Sequence, residues 1–179
     1  MKTLIISLLF FVPLAHANTA DFDEYSKRLI ELGKLDQQAR GENFYSEESI
    51  QIDKNNLSEL KHLIKKHGFP EISKVGKKAY FAAYLIAQHA GRDLDFMKFF
   101  LSEVTKRLNT GEIINETYGY LFDRVNRMEG RPQIYGTQGK CFNGVYVPSK
   151  PISLVDLDKK RATLGLLSMK AFSEAVCKH

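Results

Sequence analysis

The segment from about Val75 to Ala90 constrains the fold more than any other, because it is apolar on nearly every side of a helix. Alanines form one side of it, and larger residues such as Phe81, Tyr84 and Leu85 form the other. A helix that is apolar nearly all round is a buried helix. We therefore predict that it is the central element of the fold and that the rest of the chain packs around it.

Apolar residues at spacings of three and four predict further helices on both sides of this segment. The first helix is predicted over Phe22 to Arg40, followed by a polar loop over Gly41 to Asp53. Asn56, with Glu59 three positions later, resembles a capping box and predicts the start of the second helix. The remaining helices are predicted to begin at Asp93 or Asp95, at Glu116, at Asp156 and at Ser168.

The sequence pattern changes after Pro132. Asn143-Gly144 stands between β-branched and aromatic residues, which is the strongest short-range signal for a β-hairpin. A small two-stranded ribbon is therefore predicted between Ile134 and Val147. The predicted fold class is mainly α: a compact multi-helix domain around a buried central helix, with a small β-hairpin in its C-terminal half.

The first 17 residues have the pattern of a signal peptide: a positive Lys2, an apolar run from Thr3 to Leu14, and a small–x–small site at Ala15-His16-Ala17. A membrane-spanning helix needs roughly 20 apolar residues, and this run is shorter. We predict a signal peptide over 1–17, one mainly helical domain over 18–179, no integral membrane anchor, and a soluble periplasmic or secreted protein. The alternative is a retained N-terminal anchor.

The predicted compartment determines how the two cysteines are interpreted. In an oxidising compartment, an even pair such as Cys141 and Cys177 indicates a disulfide, here between a late loop and the C-terminal helix. The alternatives are two unpaired thiols and partners in another chain. Neither cysteine has a second cysteine or a histidine at metal-ligand spacing, so no zinc site is predicted.

Charge and motifs narrow the classes of function. The formal net charge is +5, but the basic residues are dispersed among acidic ones rather than forming a dense stripe, so no nucleic-acid partner is predicted. Weak attraction to anionic envelope components stays open. The chain has no Gly-x-Ser-x-Gly elbow, no Gly-rich phosphate loop and no His-Glu-x-x-His motif, so neither a cofactor nor a metal is predicted.

Gln88 and His89 end the predicted central helix, where their side chains would leave the core and need hydrogen-bond partners. His89 is the only evident candidate for a general acid or base. The alternative is a core histidine whose hydrogen bonds are satisfied, next to a structural glutamine.

Arg124 lies beside the apolar stripe of the fifth helix, whereas Asp123 is expected to point away from it. The planar fork of an arginine suits a carboxylate or a phosphate. The alternative is an internal carboxylate partner, either Asp36 or Asp123. Asp36 and Arg40 stand four apart near the end of the first helix and could also pair with each other on the surface.

Residues 133–138 supply a further group of polar side chains. Strand alternation would place Gln133, Tyr135 and Thr137 on one face of the ribbon. Three hydrogen-bonding side chains on one face are unusual if that face only packs. Gly136 would let the backbone approach a ligand closely.

Several of these segments resemble an uncharacterised bacterial family, a domain of unknown function with a QHA…DR…YGTQ signature. The segments are Asp36-Gln37…Arg40, Gly68-Phe69-Pro70, Gln88-His89-Ala90, Tyr120-Leu121-Phe122-Asp123-Arg124 and Gln133-Ile134-Tyr135-Gly136-Thr137-Gln138. The resemblance covers nearly the whole mature chain and implies shared site residues without naming a substrate. Gly91 follows the QHA motif where the family often has an acid, and Asp93 is the candidate to replace that acid as a partner of His89.

Together, these residues predict a polar pocket that binds a small anionic molecule or envelope component. Arg124 would hold the anion, and His89 is the predicted catalytic residue if the protein is a hydrolase or a transferase. Whether it is an enzyme stays open. The other predicted ligand-binding residues are Gln88, Asp123, Gln133, Tyr135, Thr137, Gln138, Asp36 and Arg40.

The alternative function is a protein-interaction module, such as an inhibitor or an immunity-type protein of the periplasm. The same polar residues would then be internal scaffolding. Specificity for the protein partner would lie on surface loops such as Gly41 to Asp53.

Overall fold

The computed structural model describes residues 19–40 and 46–177, and this part of the chain is mainly helical, as predicted. The predicted signal peptide and residues 41–45 of the predicted loop lie outside it. In chain order the elements are α1 (Thr19–Gln38), α2 (Glu47–His67), α3 (Ile72–His89), α4 (Leu94–Lys106), α5 (Asn115–Met128), β1 (Gly139–Phe142), β2 (Val145–Pro148), α6 (Leu157–Thr163) and α7 (Met169–Val176). Within the described residues, no helix combines the length and the apolar character that a membrane crossing requires.

Helix α3 is the central element, and α1, α2, α4 and α5 all contact it. Tyr80 and Ala83 are both fully buried there. The close approach of α1 depends on Gly33, because a Cβ atom at this position would lie 2.6 Å from the Cβ atom of Ala82. The small side of the predicted helix therefore packs against α1. The large side is not fully covered, since Phe81 is 43% exposed.

Helix α2 begins earlier than predicted. Ser46 caps it, because its side chain accepts a hydrogen bond from the N–H of Ser49 at 3.1 Å. Residues 47–53, predicted as a loop, are therefore helical. The capping box predicted at Asn56 is also wrong: Asn56 is buried inside α2 and donates to the carbonyl of Leu32 at 3.3 Å. Glu59 is ion-paired with Arg28 of α1 instead of closing a cap.

The predicted hairpin is present as β1 and β2, with Phe142 paired to Val145. Asn143 and Gly144 form its turn with φ angles of 49° and 75°, the left-handed conformation that a two-residue hairpin turn requires. The predicted disulfide is also present. Cys141 of β1 is bonded to Cys177, which ends α7, with 5.6 Å between their Cα atoms.

Candidate functional site

Asp123 is fully buried at the centre of the polar residues that the sequence analysis identified. Its carboxylate accepts hydrogen bonds from the backbone N–H groups of Ile134 (2.7 Å), Tyr135 (3.1 Å) and Thr137 (2.9 Å). It also accepts one from the hydroxyl of Thr137 at 3.0 Å. Asp123 was predicted to point away from the apolar stripe of α5. That side of the helix is not exposed to solvent, because residues 133–138 cover it.

Residues 133–138 form a loop around this carboxylate rather than a strand of the ribbon. Gln133 makes an isolated bridge with Ile152, and the paired strands begin only at Gly139. The backbone N–H groups of the loop turn inward to Asp123, so the alternation on which the strand prediction depended does not exist. We call residues 133–138 the Asp123 loop.

Two buried glutamines close the Asp123 loop. The Oε1 atom of Gln133 accepts from the N–H of Gln138 at 2.8 Å, and its Nε2 atom donates to the carbonyl of Gln138 at 2.8 Å. The Nε2 atom of Gln138 donates to the carbonyl of Tyr120 at 3.3 Å and to the hydroxyl of Thr137 at 3.2 Å. Gln133, Thr137 and Gln138 are therefore hydrogen-bonded within the protein, as buried amides and hydroxyls need to be.

Arg161 is part of the same scaffold, and the sequence analysis missed it. This side chain is fully buried and donates to the carbonyls of Tyr135 and Leu167, at 2.5 Å each. Its guanidinium lies over the ring of Phe172, 5.0 Å from the centroid. Burial lowers the pKa of Arg161. Arg161 follows Lys159 and Lys160 in a basic run, which resembles solvated surface, and its position one turn before the buried Leu164 was the only available signal.

His89 is bonded to Asp36, which answers the question of its carboxylate partner. The Nδ1 atom of His89 lies 2.8 Å from Oδ1 and 3.0 Å from Oδ2 of Asp36, whose side chain is 1% exposed. Asp93 does not take this role. It caps α4 by accepting from the N–H of Phe96 at 3.0 Å and is ion-paired with Lys61.

Asp36 is also the partner of Arg40, with 2.9 Å between Nη2 and Oδ1. Burial by itself would raise the pKa of Asp36, but the hydrogen bonds and charges of His89 and Arg40 outweigh burial and lower it. Arg40 reaches Asp53 as well, with 2.5 Å between Nη2 and Oδ1. The Asp36–Arg40 pair is therefore a buried part of a network and not a surface pair.

A cleft of about 240 Å³ lies beside this network, and we call it the cationic cleft. Four basic side chains and one carboxylate line it together with the imidazole and several apolar groups. The lining residues are Arg40, Ile50, Asp53, Lys54, Leu57, His89, Ala90, Gly91, Arg92 and Arg124. Because basic groups outnumber the carboxylate in this lining, the cleft is suited to a negatively charged ligand.

Arg124 connects the cationic cleft to the scaffold. Its Nη1 atom donates to the backbone carbonyl of Gln88 at 3.0 Å, and its Nε atom donates to Oε1 of Gln138 at 3.1 Å. The end of α3, helix α5 and the Asp123 loop therefore meet at this guanidinium. Two neutral acceptors, the Gln88 carbonyl and the Gln138 amide oxygen, therefore help to hold this guanidinium in place.

The predicted site residues thus separate into two groups. His89, Arg40 and Arg124 line the cationic cleft. The buried carboxylate of Asp36 is hydrogen-bonded to the first two of them. The other predicted site residues are not among the residues that line the cleft. They are Gln88, Asp123, Gln133, Tyr135, Thr137 and Gln138.

Tyr135 packs edge-on against the rings of Tyr118 and Phe122 at 6.1 and 6.0 Å, and burial raises its pKa to about 12.

Lys54 and Arg92 complete the cationic cleft and were not predicted. Lys54 follows directly after residues that were assigned to a loop, which hid its place on the α2 face beside Leu57. Arg92 is the second residue after the QHA motif and lines the same cleft as His89. Within 19–40 and 46–177, no group of three or more His, Cys, Asp or Glu side chains could hold a metal ion.

Comparison with known proteins identifies a family. A family model described as "Family of unknown function (DUF6624)" matches residues 37–176, which is more than half of the chain. The match contains His89, Arg124 and the Asp123 loop and begins one residue after Asp36. No curated protein and no solved structure matches the chain.

Proposed function

This chain belongs to DUF6624, a family of unknown function, and we propose that it binds a small anionic ligand in the cationic cleft. The observation that supports this most directly is the lining of the cleft. Four basic side chains and one carboxylate, Asp53, line it, and that carboxylate is already ion-paired with Arg40. A ligand with a phosphate or carboxylate group would relieve the remaining repulsion, and arginine binds both groups with paired hydrogen bonds.

Lys54 and Arg92 are the side chains that would meet the ligand from solvent. Both are exposed, and neither forms an ion pair with any residue in the described part of the chain. Arg40 and Arg124 lie deeper and are held by protein partners. Binding would therefore need little rearrangement of Arg40 and Arg124. The exposed side chains of Lys54 and Arg92 would move to contact the anion.

The same cleft supports a hydrolase or a transferase as the catalytic form of this proposal. Asp36 holds Nδ1 of His89, which leaves Nε2 as the ring nitrogen that can accept or donate a proton at the ligand. A carboxylate that orients a histidine in this way is the arrangement found in hydrolytic triads. His89 would act as the general acid or base, while the cations hold the negative charge of the ligand.

We also propose export as the setting of this function. Residues 1–17 have the signal-peptide pattern, and the disulfide between Cys141 and Cys177 fits an oxidising compartment. The ligand would then be a periplasmic or extracellular small molecule or an anionic component of the envelope.

Binding of inorganic phosphate and of citrate, measured by calorimetry and by the shift in melting temperature, tests the proposal. We expect one of these anions to raise the melting temperature of the wild-type protein and to bind at least fivefold more weakly to the double variant Lys54→Gln, Arg92→Gln. The matched control is Lys65→Gln, Lys77→Gln, which removes two exposed positive charges elsewhere. Equal binding to all three proteins, or no binding to any, would contradict the proposal.

The second candidate function is the protein-interaction module. It is supported by an apolar patch on the outer face of the hairpin, where Phe142, Val145 and Val147 are 63%, 57% and 48% exposed. The internal bonding of Gln133 and Gln138 also fits the scaffolding role that this alternative assigns to the polar residues. Retention of an envelope protein by wild type but not by Phe142→Ser would support it, and equal retention by both would count against it.

A further inference from the structure

A second groove, of about 420 Å³, lies between α3 and α5. Its walls are mainly aromatic and aliphatic, with Phe81, Tyr84 and Leu85 from α3 and Tyr120 from α5. We call it the aromatic groove. Its apolar walls are only partly covered, since Phe81 is 43% exposed although it belongs to the central helix of the fold.

The helical register places the aromatic groove next to the cationic cleft. On α3, Phe81, Leu85 and His89 stand four residues apart and so form one row along the helix. The first two residues line the aromatic groove, and the third lines the cationic cleft. Phe81 and His89 are eight positions apart, which is about 12 Å along the helix at 1.5 Å per residue.

Helix α5 repeats this arrangement. Glu116, Tyr120 and Arg124 form a second row at the same spacing, and again the first two line the aromatic groove and the third lines the cationic cleft. The two rows are joined at the boundary by the hydrogen bond from Arg124 to the carbonyl of Gln88. On both helices, the row therefore runs from the aromatic groove to the cationic cleft.

The charges at the two ends define a direction. Arg124 and His89 lie at one end of the paired rows, and the carboxylate of Glu116 lies at the other. An anionic group would be attracted to the first end and repelled from the second. Between the two ends, the half-buried side chains of Leu85 and Tyr120 form part of the walls. They offer apolar surface to an alkyl chain about as long as the groove.

We propose that the anionic ligand of this protein carries a single alkyl chain, with its charged head in the cationic cleft and its chain along the aromatic groove. This inference rests on the proposed anion binding and extends it to a class of ligand, the anionic amphiphile. The head is held by Lys54, Arg92 and Arg124, and the chain packs against Phe81, Leu85 and Tyr120. Glu116 limits the length of chain that fits.

Calorimetry with three phosphates tests the alkyl chain separately from the head group. Inorganic phosphate and methyl phosphate measure the head alone, and hexyl phosphate, used below the concentration at which it forms micelles, adds the chain. We expect hexyl phosphate to bind roughly tenfold or more tightly than methyl phosphate, because each buried methylene group contributes favourably. Phe81→Ala should remove most of this difference and leave methyl phosphate binding unchanged.

Phe99→Ala is the matched control, because Phe99 is also 43% exposed but lies on α4, away from both sites. If methyl and hexyl phosphate bind equally well, the alkyl-chain inference is overturned while anion binding stands. It is also overturned if hexyl phosphate binds more tightly but Phe81→Ala and Phe99→Ala behave alike. If none of the three phosphates binds, the proposed anion site itself fails.

Discussion

The imidazole of His89 is bonded through Nδ1 to Oδ1 of Asp36 at 2.8 Å, which joins the end of α3 to the end of α1 across 53 residues of sequence. The same carboxylate accepts from Arg40. One buried acid therefore orders two side chains of the cationic cleft, so the Asp36 charge should affect both stability and ligand binding.

Asp36→Asn should change how the stability of the fold depends on pH. The pKa of Asp36 is lowered in the folded protein, whereas the unfolded value is about 3.9. Its stabilisation is therefore fully present above the unfolded value and is lost as the pH falls through the folded pKa. At pH 7 we expect Asp36→Asn to lower the free energy of unfolding by about 3 kcal/mol, since it leaves Arg40 and His89 without their buried anion.

Urea denaturation at a series of pH values measures this effect. Between neutral and strongly acidic pH, the variant should lose less stability than the wild-type protein. Asp95→Asn, at an exposed carboxylate, is the control and should follow the wild-type curve. Parallel pH curves for wild type and Asp36→Asn would show that the lowered pKa is not coupled to folding.

Asp123→Asn should loosen the Asp123 loop, because an amide cannot accept all the hydrogen bonds that the carboxylate accepts from Ile134, Tyr135 and Thr137. We expect a loss of about 3 kcal/mol in the free energy of unfolding, since hydrogen bonds to a buried charge are stronger than neutral ones. Thr137→Val should cost about 1 kcal/mol. Because the two side chains touch, the double variant should lose less than the sum of the single losses, and strict additivity would contradict the contact.

Arg161→Met should destabilise the protein by about 2–4 kcal/mol, because the carbonyls of Tyr135 and Leu167 would lose a charged donor. Lys159→Met is the matched control, since Lys159 is 83% exposed by its side chain and pairs only at the surface with Asp156. A surface pair of this kind contributes about 1 kcal/mol at most. The two variants should therefore differ clearly in melting temperature. Equal melting temperatures would contradict a stabilising role for the buried hydrogen bonds of Arg161.

Reduction of the disulfide between Cys141 and Cys177 should lower stability by about 4 kcal/mol, as expected from the loop entropy of the unfolded chain for a separation of 36 residues. Chemical denaturation with and without reductant measures the loss, and the double variant Cys141→Ser, Cys177→Ser should show it without reductant. Mass spectrometry of the unreduced protein provides an independent check. Two free thiols in that protein would contradict the pairing.

The errors at the start of α2 and at the Asp123 loop have a common physical cause. The segment before Asp53 is polar because α2 lies on the surface there, and its cap depends on Ser46. Asn56 is a residue type that often caps helices, but here its side chain donates a hydrogen bond to the carbonyl of Leu32 in α1. In each case a polar residue can bond either to nearby backbone or to a residue distant in sequence, and the sequence pattern indicates only the nearby partner.

The two groups of site residues show the same limit. The QHA and YGTQ segments were identified as one polar group, and the structure assigns His89 to the cleft and Gln133, Thr137 and Gln138 to the scaffold. Both roles use hydrogen-bonding side chains, so residue type cannot separate them. Lys54 and Arg92 were missed because single exposed cations are common on any surface.

The sequence by itself determined the mainly helical class, the buried α3, the hairpin and the candidate cysteine pair, because these depend on short-range periodicity, turn chemistry and the count of thiols. Only the tertiary structure decided that Asp36 meets His89, that Asp123 is enclosed by a loop, and that the cations of α2 and α5 face one cleft. Such contacts join residues from 11 to 53 positions apart. They depend on how the helices approach and rotate against one another, which no local pattern specifies.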